Sequence, residues 1–361
     1  MSNCSTTFTV GMDLGDKKHW VAVLDGSGDL VDKTTCSNTA DCVKRFFSRF
    51  KKPLAVTVVM ESGTHSPWLS RLIEDMGFEV LVGNARKLRA IWQSDVKDDS
   101  RDCEMLARIG RFDRQLLHPI HHRGKEAQAA LSILRARDAL VSARTALIGT
   151  CRGLVKSWGG RLPKCSADSF GTAVVEDIPD ELLPAILPLV EQIGHMTQRI
   201  KNYNYHLTRI TEEHYPEARL LTQVSGVGSI VSLAFILTVE NPHRFDKNRM
   251  IGPFLGLTPK RDQSGETDKA LPITKAGDEF VRRLLAQAAQ YILGPFGPDC
   301  DLRRHGKKIE QKGGKAGKKK AVTAVSRKLA VLLLHLWKTG DVYDPFHKQT
   351  ARKNKKARKA A

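Results

Sequence analysis

Four acidic side chains, Asp13, Glu61, Asp99 and Asp102, are spaced as a set that could do chemistry. Asp13 closes the β-type run VGMDLG, and Glu61 follows the apolar run LAVTVVM. Asp99 and Asp102 stand three apart at the start of the helical pattern DDSRDCEMLARIG, and so on one helix face. Such a cluster of hard oxygen ligands is too repulsive to stay unneutralised. Two Mg²⁺ ions about 4 Å apart would satisfy it while clamping a phosphodiester. Each acid alone has a plainer reading: Asp13 as a turn residue, Glu61 as a helix-start carboxylate, and Asp98, Asp99 and Asp102 as a first turn that complements the helix dipole. What raises the set is its order along the chain (hairpin strand, later strand, helix face), which is that of a ribonuclease-H-like metal nuclease. The run G-M-D-L-G-x-K also suits the first phosphate loop of actin-like ATPases. That fold needs a second phosphate loop and a glycine-rich adenosine motif, and neither has a convincing context here.

A second group lies beyond residue 216. In LTQVSGVGSIVSLAF, Gly226 and Gly228 flank Val227 before an apolar helix, the form of a helix-hairpin-helix. Glycines there would let backbone N–H groups approach a phosphate; a tight turn between packed helices would use them equally well. The stretch Thr258 to Thr274 is polar and turn-rich, so it is expected to be an exposed loop. Ser264 and Gly265 lie at its centre, with Lys260, Arg261, Lys275, Arg282 and Arg283 nearby. Ser-Gly is most simply a turn. A nucleophilic serine needs a base or a metal, and no histidine is close in sequence.

The elements that must position these residues divide the chain into an α/β part and an α part. Alternating β-branched runs over residues 7–35, helices near 40–50 and in HSPWLSRLIEDMG, and strands LAVTVVMES and FEVLVGN predict a mixed sheet with helices over residues 1–123. From Lys125, Ile133, Ala136, Leu140, Ala143, Leu147 and Leu154 recur at threes and fours. So do Val190, Ile193, Met196, Ile200, Tyr203, Leu207 and Ile210. Two long amphipathic helices forming an antiparallel coiled-coil hairpin are expected over 124–215, as a spacer or a dimerisation element. A mainly helical domain over 216–345 and a basic tail, 346–361, complete the expected organisation.

Charge has a definite location. Of the formal net charge of +19 over 361 residues, most comes from two places. Arg303 to Lys328 holds eleven Lys/Arg and one acid, and Phe346 to Ala361 holds seven Lys/Arg and none. A block this dense, including Lys318, Lys319 and Lys320, repels itself unless a polyanion neutralises it, so nucleic acid is the expected partner. The last sixteen residues alone could be a solvated tail. No apolar run reaches the roughly 18 residues a membrane span needs, and the first residues lack a signal-peptide pattern. Seven scattered cysteines without a C-x-x-C pair argue against a disulfide framework. A reducing cytoplasm is the expected location.

The order of motifs resembles the insertion-sequence transposases of family one-ten, relatives of the Piv invertases described as bridge-RNA-guided recombinases. GMDLGDKKHWVAV resembles the opening strand, VVMES the second acid and KDDSRDCEMLA the acidic helix; LTQVSGVGSIVSLAF and FLGLTPKRDQSGETDKALPITKAGDEFVRRLL resemble the C-terminal transposase domain. The resemblance implies a RuvC-like N-terminal domain whose D-E-D-D set maps onto Asp13, Glu61, Asp99 and Asp102 with Mg²⁺ or Mn²⁺. It also implies a catalytic serine, here Ser264, a structured non-coding RNA pairing with donor and target DNA, and a homo-oligomer, dimeric or tetrameric. Asp98 stands where the family has Thr, leaving the third acid open between Asp98 and Asp99, and Cys103 replaces the usual Ala. The alternative is a RuvC-type structure-specific nuclease that uses water as nucleophile.

Overall fold

A computed structural model describes residues 8–88, 98–264 and 267–347, with the side chains of 261–270 set aside. The basic tail, from residue 348 on, lies outside the described residues, as does Gly265. The chain divides into two units, Met1–Arg123 and Gly124–Ala361.

In the first unit, β1 (Phe8–Leu14), β2 (Lys18–Leu24) and β3 (Leu30–Ser37) form an antiparallel meander. After α1 (Ala40–Phe47), strand β4 (Val56–Glu61) returns parallel to β1. After α2 (Ser66–Asp75), β5 (Glu79–Gly83) pairs parallel to β4. The sheet order is β3-β2-β1-β4-β5.

The period of two along the strands sorts the sheet's faces. Val10, Met12, Val21, Val58 and Met60 face a core that includes Val43, Phe47, Leu69 and Ile73 of α1 and α2. The other face receives α3 (Asp99–Phe112), seated against β1, β2 and β4. Two glycines permit that seat. A Cβ on Gly11 would overlap the Cys103 carbonyl and stand 2.7 Å from the Ala107 nitrogen, and one on Gly110 of α3 would strike Val59. Helix and sheet meet there at backbone distance.

In the second unit, α4 (Lys125–Ser157) and α6 (Leu183–His214) run antiparallel, with the short α5 (Phe170–Ala173) between them in sequence. At one end Cys151 and Val155 pack with Ile186, Val190 and Ile193; at the other Ala130, Leu131 and Leu134 share a core with Leu207. Between these ends the hairpin is joined by polar groups. Arg144, 7% exposed, donates to Asp168 at 2.6 Å and to the Thr197 hydroxyl at 3.0 Å, and Arg137 donates to Asn204 at 2.8 Å. The core at the Ala130–Leu207 end continues into the rest of the unit. There α8 (Ser229–Val239) is buried along most of its length, after α7 (Ala218–Thr222) and a turn. It packs with α10 (Glu279–Leu293), and α12 (Gly317–Thr339) adds Leu329 and Leu333 to the same core. α11 (Asp301–Lys312) lies on α12 through Gly306, where a Cβ would come within 2.7 Å of Val325. After α9 (Ile251–Phe254), the stretch expected to be a loop is an antiparallel hairpin, β6 (Pro259–Ser264) with β7 (Thr267–Ile273). Among the described residues no helix is long and apolar enough to cross a membrane, and all the cysteines are free.

Candidate active site

Asp13 is next to last in β1, on the face that Gly11 presents to α3. Gly11 is paired with Val59 of β4, so Glu61, two residues on, ends the neighbouring parallel strand on the same face. Because the Cys103 carbonyl sits over Gly11, the first turn of α3 falls beyond it, toward Asp13. Asp98 is the N-cap: its carboxylate accepts from the Ser100 amide at 3.0 Å and stands 3.7 Å from Arg101. Asp99 and Asp102 follow in the first turn.

Three of the carboxylates act on the fourth. Burial pushes the Asp13 carboxyl up to about 6, and the charges of Asp99, Asp102 and Glu61 add to the rise. Trp20, its cross-strand partner, is a half-buried neighbour that the sequence did not mark. Among the described residues, no group of three or more His, Cys, Asp or Glu side chains is drawn into metal-ligating geometry. The carboxylates stand close enough to repel, without closing on a common point. As a donor set, four oxygen-bearing acids, one with its carboxyl pushed up to about 6, suit a hard divalent cation, whose charge would favour the ionised form.

A small clasp joins the loops that follow the two strand-end acids. The Asn38 side-chain amide donates to the Asp16 carbonyl at 2.8 Å and lies 3.3 Å from the His65 ring, which stands 3.4 Å from the Asp16 carboxylate. Sequence reasoning did not find it, because its parts are 22 and 27 residues apart.

In the second unit, Ser264 ends β6, opposite Thr267 of β7. Lys260 and Lys275 are exposed, and Lys275 adopts φ of 53°, a left-handed conformation rare for a residue with a Cβ. Arg261 lies in the same strand. Arg282 and Arg283 both use donors inside the chain. One Arg282 nitrogen donates to the carbonyls of Leu255 at 3.1 Å, Gly277 at 3.0 Å and Asp278 at 3.4 Å, and Arg283 pairs with Asp138. Gly226, with φ of 85°, makes a turn tight against Ala288 and Tyr291 of α10. Gly228 caps α8, exposed and with open space where a Cβ would point.

Lys318, Lys319 and Lys320 are exposed in the first turn of α12, which has no side-chain cap. Cations at a helix N-terminus oppose the helix dipole. These lysines therefore do not serve the helix, and their exposed charge suits an anion.

Comparison with known proteins finds matches in both units. Residues 10–158 match a transposase profile of the DEDD type, and residues 218–299 match one described as the transposase IS116/IS110/IS902 family. A transposase for insertion sequence element IS1111A of Coxiella burnetii is 25% identical over 248 residues, 65% of each chain. That for IS1328 of Yersinia enterocolitica is 25% identical over 239 residues, covering 65% of this chain and 70% of the relative. A probable family 20 transposase of Pseudomonas aeruginosa is 23% identical over 300 residues, 81% of this chain and 86% of its own.

Proposed function

Given that the chain belongs to the IS110 family of transposases, enzymes that cut and rejoin DNA, we propose that the first unit is a RuvC-like domain. Asp13, Glu61, Asp99 and Asp102 would hold Mg²⁺ or Mn²⁺, and Ser264 is the nucleophile. The observation that supports this reading is that three carboxylates from two other elements act on Asp13, whose carboxyl burial and those charges push up to about 6. The sheet order β3-β2-β1-β4-β5, with only β2 antiparallel to its neighbours, supports the ribonuclease-H-like assignment.

When bound, a divalent cation supplies charge neutralisation at the phosphate and favours ionisation of an attacking hydroxyl. The chain's own groups do the rest. The Ser264 hydroxyl attacks phosphorus and loses its proton. A phosphoserine bond forms as the bond to one DNA oxygen breaks, and that oxygen takes up a proton. Attack by the hydroxyl of the exchanged strand then reverses the step, so the phosphodiester energy is conserved. Ser264 belongs to the second unit, and the protein works as a homo-oligomer, dimeric or tetrameric.

The backbone N–H groups near Gly226 and Gly228, together with Lys260, Arg261, Lys275 and Lys318 to Lys320, grip phosphates of donor and target DNA and of a structured guide RNA. This charge gives affinity without base specificity, which is why specificity is assigned to RNA pairing. Co-purification of a discrete RNA with the full-length protein supports that assignment, and an RNA-free protein with full activity refutes it.

The test of the chemistry compares Ser264→Ala with Asp99→Ala in a recombination assay with adduct trapping. Both variants should be inactive, and only the wild type should leave a DNA–protein adduct at Ser264. Normal recombination by Ser264→Ala with a dead Asp99→Ala would replace the serine with a water nucleophile.

A further inference from the structure

The geometry points to Arg282 as a positioning residue that closes the base of the β6–β7 hairpin and so fixes the aim of Ser264. It is thereby removed from the phosphate-binding set. This inference rests on the reading of Ser264 as nucleophile.

The hairpin ladder runs from Ser264–Thr267 down to Pro259–Ile273. It continues through Thr274 N–H to the Thr258 carbonyl at 2.9 Å and Lys275 N–H to the Gly256 carbonyl at 3.1 Å. Below that rung the two chains separate, one into Leu255 and α9, the other into Gly277 and α10. Here Arg282 reaches both: a single guanidinium nitrogen donates to Leu255 O on the incoming side and to Gly277 O and Asp278 O on the outgoing side.

The same rung is tight from every direction. Gly256 has φ of 66°, and a Cβ there would come within 2.5 Å of the Ala276 nitrogen. One on Gly277 would come within 2.5 Å of Leu255. Lys275, with φ of 53°, holds a strained conformation between them. Strain of this kind persists only where the surroundings over-determine it.

Arg282 lies in the first turn of α10, where a cation opposes the helix dipole, so the arginine does not serve the helix. A charged donor to carbonyls makes stronger hydrogen bonds than a neutral one. A nucleophile carried on a two-stranded ribbon loses rate steeply when its base is loose, since small misplacements cost large factors.

The experiment uses full-length protein with Arg282→Ala and Arg282→Lys. Without DNA, amide exchange over residues 256–277 should speed up about tenfold in Arg282→Ala, while α8 and α12 stay protected. With a plasmid carrying the element's ends at saturating concentration, adduct formation should fall about tenfold or more. Affinity for a short duplex of arbitrary sequence and its salt slope should be unchanged. Arg282→Lys, which keeps three donors on one nitrogen, should recover most of both losses, and it serves alone if the alanine variant does not fold.

Unchanged hairpin exchange, or a salt slope shallower by about one phosphate contact with a normal adduct rate at saturation, would overturn the proposal and return Arg282 to the phosphate-binding set. Exchange that rises equally throughout the second unit would also overturn it. If Ser264→Ala recombines normally, the nucleophile assignment fails, yet the exchange result, obtained without DNA, still decides what Arg282 holds.

Discussion

Replacing Asp13 by its neutral isostere should stabilise the metal-free protein while abolishing its chemistry. The Asp13 carboxyl is raised from the ordinary 3.8 to about 6 by burial and by the charges of Asp99, Asp102 and Glu61. Taken at face value, that rise is about 3 kcal/mol of unfavourable ionisation in the folded state. Asp13 is only partly buried, so screening reduces it to about 1–2 kcal/mol. The sign follows from proton counts. Between pH 3.8 and about 6 the folded chain holds the Asp13 proton and the unfolded chain has lost it. Stability contributed by this group therefore falls as pH rises through that window and stays low above it. Asp13→Asn carries no such dependence. In excess chelator, denaturant unfolding of Asp13→Asn should be more stable than wild type by about 1–2 kcal/mol at pH 8, with a much smaller gap at pH 4.5. Adding Mg²⁺ at pH 8 should stabilise wild type more than the variant, narrowing the gap. A variant no more stable than wild type at pH 8, or a gap independent of pH, would refute the claim that carboxylate repulsion is stored at this position.

Three further outcomes are expected. Gly11→Ala should destabilise the first unit by about 3 kcal/mol, read by denaturant unfolding, because the added methyl meets helix backbone at Cys103 and Ala107 that no side-chain rotation relieves. Arg144→Ala should cost about 1–3 kcal/mol in thermal unfolding followed by circular dichroism, since it removes the bonds to Asp168 and Thr197 from the middle of the helical hairpin. Changing Lys318, Lys319 and Lys320 together to Gln should make the logarithmic salt dependence of nucleic-acid binding shallower by about 2–3, measured by titration at several salt concentrations.

The first unit was legible because its sequence obeys its periods. Val10, Met12 and Val58 and Met60 alternate inward as the pattern of two demands, and the acids fall where those strands end. The third acid was ambiguous on paper. Asp98 caps the helix through the Ser100 amide and the charge of Asp99 acts on Asp13, and we keep Asp99 as the proposed third ligand.

The β6–β7 hairpin was not legible, because KRDQS and TDKA offer no apolar alternation and the strands are held by their backbone ladder. On α4 the apolar recurrence Ile133, Ala136, Leu140, Ala143, Leu147 and Leu154 missed the buried positions, which are Ala130, Leu131, Leu134, Cys151 and Val155 with Arg144 between them. A polar joint in mid-hairpin breaks the hydrophobic period there. α6 was read more nearly correctly, since Val190, Ile193, Ile200 and Leu207 are buried. Sequence shows the charge of Arg282 and Arg283 but not the carbonyls and carboxylate that engage it.

The glycine contacts between α3 and the sheet make the spacing of the acids a main-chain quantity. Asp13 and Asp102 belong to segments whose separation is set in large part by backbone lying on backbone at Gly11. Drift elsewhere in the sheet or in α1 and α2 can alter how firmly the domain holds together, yet it leaves the dimensions of the anionic cluster alone.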